Sequence, residues 1–200
     1  FDGILAHEFQ HMIHWAEDRD ESTWVNEGLS ELSAQLGGYD VGGSDYTFSL
    51  SPDTQLTTWT ELEDSAAHYG ASYLFLSYFL EQVGEDAVRE LVAEPANGIA
   101  GFNAVLANVE PSGRHFDDIF ADWVVANYLD DPGLAYGQFG YVDLRIEEPE
   151  LADEHSAYPV QRRAAVHQYA ADYILLEGRG DLSVEFTGTQ VVPLVGNETH

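Results

Sequence analysis

The chain has 200 residues, enough for one compact domain, or a domain plus a small appendage, with a buried core. It carries 36 acidic residues against seven basic ones, all Arg, for a formal net charge of −29, which would repel phosphate and excludes nucleic acid as a partner. Cysteine is absent, so disulfides, thiolate nucleophiles and Cys-ligated zinc are excluded, and any metal must be held by His, Asp or Glu.

High net charge can signal disorder. A hydrophobic content of 44%, with four Trp, eleven Tyr and ten Phe, argues for a folded chain instead. An acidic but apolar protein suits molar salt, where a Debye length of ~3 Å screens repulsion between surface carboxylates. A halophilic prokaryotic source is therefore expected. No run approaches the ~20 apolar residues of a membrane span. The start at Phe1, with a motif already at residue 7, predicts a piece of a longer protein.

In chain order, Asp2 is placed to cap a helix reaching about Ala16, with Ile4, Leu5, Phe9, Met12 and Ile13 as its apolar contacts. An acidic turn (17–22) leads to a second helix, about Trp24 to Leu36, stopped by Gly37-Gly38. Residues 37–60, rich in Gly, Ser, Thr and Asp, read as a long loop. Ser65 to Val83 forms the longest helix, apolar on nearly all sides and hence central, closed by Gly84. Shorter helices are expected over 85–93, 98–109 and 116–129. In the last of these, Asp122 and Trp123 serve solvation and packing. From Tyr158 onward strand-like runs follow, with LSVEF (182–186) alternating, VVPLV after it, and a hairpin turn at Gly178 to Asp181.

The chemistry concentrates in HEFQH, residues 7–11. Four residues of helix advance ~400° and ~6 Å, so His7 and His11 project from one face, one turn apart. Two imidazoles so placed can bind a single Zn²⁺ at ~2.0–2.1 Å each, and Glu8 can reach a water there without ligating the metal. On these five letters alone, polar residues on a solvated face remain an alternative. His14 lies ~300° around from His11 and is expected on the surface or a cleft wall, away from the metal.

Fifteen positions past His11 begins N-E-G-L-S-E (26–31), within WVNEGLSELSAQLGGY. Here the sequence resembles the gluzincin metallopeptidases, whose HExxH helix is followed by one carrying N-E-x-x-x-(D/E). AHEFQHMI and WVNEGLSEL look most like secreted bacterial and archaeal peptidases of the hyicolysin and immune-inhibitor type. The strong resemblance covers residues 1–39, and a weaker one continues through 65–83.

The resemblance implies Zn²⁺ held by His7, His11 and Glu27, with Glu8 as general base. Glu31 would orient a ligand histidine, and Asn26 belongs to the same motif. SAAHYGASYLF resembles a segment that supplies a tyrosine to the tetrahedral intermediate, but the register is offset. His68 and Tyr69 both stay open as that donor. The separation of His11 from Glu27, fifteen residues, is shorter than in the best-known members, so the turn at 17–22 must bring two antiparallel helices together. A metzincin reading fails because position 17 is Glu and the only methionine is Met12.

The expected fold is mainly α with a small β segment. A zincin-like catalytic module occupies 1–140, with its active-site helix and C-terminal helical lobe but without the sheet that precedes HExxH in the family. A linker (141–157) and a β-rich segment (158–200) follow. The expected function is zinc-dependent endopeptidase activity on protein or peptide substrates, outside the cell or on its surface. An aminopeptidase is the enzymatic rival. A surface or binding protein with a vestigial metal site is the other. Acidic loops at 40–45 and 130–133 are weak Ca²⁺ candidates without a known calcium-loop spacing. Arg179-Gly180-Asp181 reads as a turn and Asn197-Glu198-Thr199 as a terminal sequon.

Overall fold

The computed structural model describes residues 1–60 and 65–189. The molecule is mainly helical, with one small parallel sheet. Seven helices run in order among the described residues: α1 (Asp2–Glu17), α2 (Thr23–Leu36), α3 (Ser44–Ser49), α4 (Ser65–Val83), α5 (Glu85–Ala93), α6 (Ile99–Val109) and α7 (Phe116–Leu129). Two strands close the series, β1 (Leu151–His155) and β2 (Tyr173–Leu176). Among the described residues no helix is long and apolar enough to cross a membrane.

Helix α4 is the axis. Every residue from Gly70 to Phe79 is buried, as its all-round apolarity predicts. Two glycines let its neighbours come close. A Cβ on Gly28 would stand 2.8 Å from the Ser72 carbonyl oxygen, and one on Gly70 only 2.0 Å from that of Ser44. Glycine at these positions brings α2 and α3 against α4 at backbone contact. Around the far half of α4, aromatic rings fill the core. Trp24 stacks on Phe102 at 5.5 Å, while Phe75 meets Trp24, Phe102, Phe116 and Trp123. Such pairs add to the gain from area burial alone. Trp123 is buried and donates from Nε1 to the Tyr141 hydroxyl (2.9 Å), which donates to Asn127 Oδ1 (2.6 Å).

Several expectations are corrected. Asp2 lies inside α1, whose N-cap is Phe1 with no side-chain cap bond. The apolar residues of α1 do not make its contacts: Ile4, Leu5, Phe9 and Met12 are 56–66% exposed, and Ile13 is exposed too. Helix α1 instead packs on α2 through its histidine face. The long loop at 37–60 contains α3, whose Phe48 is buried and stacks on Trp123 at 5.6 Å.

The C-terminal part differs most. Strand β1 lies within the stretch expected to be a linker, and it pairs in parallel with β2, His155 opposite Leu176. A parallel pair needs a crossover rather than a hairpin. Leu182–Phe186 is not a strand, so the turn at Gly178–Asp181 joins no hairpin among the described residues. Alternation alone makes no strand without a neighbour to complete its hydrogen bonds, and none lies beside this run among the described residues. The VVPLV run and the Asn197 sequon lie outside the described residues. Segment 150–173 is tied to the helical body. Glu150 N–H donates to Ser49 O (2.7 Å), Leu56 N–H to Tyr169 O (2.9 Å), and the Tyr173 hydroxyl to Val124 O (2.8 Å).

Candidate metal centre

The turn after α1 reverses the chain so that α2 lies against it. On α1 the inward stripe is His7, His11 and His14, at i, i+4 and i+7. On α2 the facing residues are Asn26, Glu27, Ser30 and Glu31. Polar side chains thus fill the α1–α2 seam.

Three atoms converge there. Nε2 of His7 lies 3.3 Å from Oε2 of Glu27, Nε2 of His11 lies 3.4 Å from the same oxygen, and the two Nε2 atoms are 3.0 Å apart. Ligands ~2.0–2.1 Å from a tetrahedral Zn²⁺ stand about 3.3–3.4 Å from one another. A triangle with the observed sides has a circumradius of about 1.9 Å, so the three atoms could hold one zinc at ordinary ligand distances. The side chains are partly buried, between 16% and 24% exposed.

The opposite edges of both rings are fixed. His7 Nδ1 stands 3.1 Å from Glu31 Oε1. His11 Nδ1 faces Asn26 Oδ1 at 3.0 Å and Ser30 Oγ at 3.1 Å, and that hydroxyl donates to the Asn26 carbonyl at 3.0 Å. With acceptors at Nδ1, each ring carries its proton there and presents the Nε2 lone pair to Glu27. Two lone pairs 3.0 Å apart beside a carboxylate repel unless a cation, or added protons, sits among them. Glu27 Oε2 is buried and faces the two imidazole nitrogens. The donor set therefore fits a divalent metal.

Electrostatics agree. Hydrogen bonding to Glu27, then to Glu31, raises the His7 imidazole to about 9, and His11 is raised for the same first reason. Burial alone would push Glu27 up, but His11 and His7 outweigh it and hold the carboxyl at about 2. The cluster calls for positive charge at its centre.

Glu8 follows His7 on α1 and is exposed. Of the two open donors, Tyr69 stands at the site, its ring 6.4 Å from that of His7 and edge-on to Trp59 at 4.8 Å. Burial first, then the charge of Glu27, pushes its phenol up to about 12, so it remains a proton donor. His68 turns elsewhere: buried, it packs on Trp59 at 5.9 Å and lines a separate cavity with Ser51, Thr54 and His167.

His14 is not on the surface. It is 1% exposed, and its Nδ1 lies 3.2 Å from Asn26 Oδ1, which thereby serves two histidines. Burial lowers its pKa and favours the neutral ring. The acidic loops spend carboxylates on their own backbone. Asp40 Oδ1 accepts from Gly42 N–H, Asp131 Oδ1 from Gly133 N–H, and neither loop joins a potential metal cluster among the described residues. Sequence reading missed Ser30, although its place one turn past Asn26 on the same face was available as a signal.

The sequence matches no protein-family model and no curated protein.

Proposed function

We propose that the chain carries the catalytic centre of a zinc-dependent endopeptidase of gluzincin type. The observation behind this reading is the meeting of His7 Nε2, His11 Nε2 and Glu27 Oε2, with imidazole tautomers set by Glu31 and Asn26. Three nitrogen and oxygen ligands leave one position open, as catalytic zinc sites do. Bound there, zinc would supply Lewis acidity and ease ionisation of water near neutral pH.

The remaining roles belong to the chain. Glu8, exposed beside His7 on α1, accepts the proton of the water that attacks the peptide carbonyl and passes it to the departing amine. Tyr69 keeps its proton and donates a hydrogen bond to the carbonyl oxygen as negative charge develops there. Glu31 and Asn26 hold the imidazoles in place. The bare strip formed by Ile4, Leu5, Phe9 and Met12 runs beside the site and suits cover by a further layer. In the gluzincin resemblance that layer is the sheet that lines the cleft. An extracellular or cell-surface setting in molar salt follows from the same resemblance and from the charge.

The experiment is Glu8→Gln in the natural full-length protein, assayed on casein with zinc measured in parallel. Zinc content stays at the parent level while hydrolysis falls by ~10²–10⁴-fold, the usual worth of a general base. Hydrolysis at the parent rate would remove the proposed mechanism.

A further inference from the structure

Beyond that centre, a second cluster joins the end of α1 to the turn that follows it. One ligand atom from each of His14, Asp18 and Glu21 lies within 4.8 Å of the others. In each residue one polar atom is engaged and the other is not. His14 Nδ1 meets Asn26 Oδ1, Asp18 Oδ1 accepts from Asp20 N–H, and Glu21 Oε1 accepts from the N–H groups of Ser22 and Gly98. His14 Nε2, Asp18 Oδ2 and Glu21 Oε2 are all buried and have no hydrogen-bond partner.

Two carboxylates held together away from water need a compensating charge. Arg19 lies between them in sequence, yet its guanidinium sits 4.2 Å over the Trp15 ring. The Asn26 contact fixes the His14 proton on Nδ1 and leaves the Nε2 lone pair directed away from α2. That histidine is 1% exposed, so water does not reach it freely.

We propose that His14, Asp18 and Glu21 form a second site for a divalent first-row metal ion such as Zn²⁺, one that ties chain segments together. One imidazole nitrogen with two carboxylate oxygens suits such an ion, whereas Ca²⁺ takes six to eight oxygens. The ion clamps the C-terminal turn of α1 to the α1–α2 connection. Through the Glu21–Gly98 bond it also reaches the start of α6. Because Asn26 Oδ1 accepts from both His11 and His14, one amide orients a ligand of each site.

The test counts zinc. Chelator-stripped chain is dialysed against Zn²⁺ in molar KCl with excess Mg²⁺ to occupy surface carboxylates, and bound zinc is measured by elemental analysis. The wild type is expected to hold two zinc ions per chain. Asp18→Asn/Glu21→Gln, close in shape and checked for native circular dichroism, should hold one fewer. His7→Ala/His11→Ala should keep one ion, and its thermal midpoint should rise on Zn²⁺ addition. An unchanged zinc count in the Asp18→Asn/Glu21→Gln variant overturns the proposal, as would a folded His7→Ala/His11→Ala variant that binds none. Loss of the first site alone would leave this second count intact, so the two assignments fail separately.

Discussion

Glu31 Oε1 and His7 Nδ1 stand 3.1 Å apart across the α1–α2 seam, on the side of the ring away from Glu27. The carboxylate fixes the ring's orientation and tautomer and makes Nε2 a stronger donor. Replacing Glu31 with Gln keeps the shape but removes the charge, so zinc affinity should fall by roughly 10–100-fold. Competition with a chromophoric chelator measures it. Unchanged affinity would mean that Glu31 does not support the ligand.

Tyr69 and His68 both pack on Trp59, but only Tyr69 meets the His7 ring, and the assay should divide them. Tyr69→Phe leaves the ring packed on Trp59 and removes only the hydroxyl. Its loss should lower kcat by ~10²–10³-fold, in the range of a lost oxyanion donor, with KM little changed. His68→Gln should leave turnover within a few-fold of the parent. The reverse ranking would assign the donor to His68.

What the sequence made legible was mostly local. The helix from Ser65 to Val83 was marked by unbroken apolarity and by Gly84, and the spacing of His7 and His11 fixed their common face. The buried side of α1 was misread for a physical reason. Its helix carries two stripes, one apolar and one of histidines, and burial depends on what a partner offers. Helix α2 offers Asn26, Glu27 and Glu31, so the polar stripe is the one that packs against it. The same partner explains His14, whose burial needs the Asn26 acceptor that its own helix cannot reveal. Pairing of β1 with β2 is likewise non-local, and no pattern within either strand announces it.

The ion pair between Arg114 and Glu110 (2.7 Å) gives a pH-dependent term away from the metal centre. Hydrogen bonding to Arg114 is the first cause that holds Glu110 at about 2, below its ordinary 4.5. A depressed carboxyl contributes stability that is complete above about 4.5 and disappears as pH falls toward 2. Arg114 is 28% exposed, so screening limits the gain to no more than about 1 kcal/mol. Glu110→Gln should therefore lower the thermal midpoint slightly at pH 6, and the gap should close between pH 4.5 and 2. A gap that stays constant through that range would show that the pair contributes nothing through charge.

Zinc-edge anomalous diffraction from crystals grown with Zn²⁺ tests the catalytic centre most directly. A peak about 2.0–2.1 Å from His7 Nε2, His11 Nε2 and a Glu27 oxygen together is the predicted result. A map with no peak at the α1–α2 seam, or a metal there bound with Glu27 turned away, would contradict it.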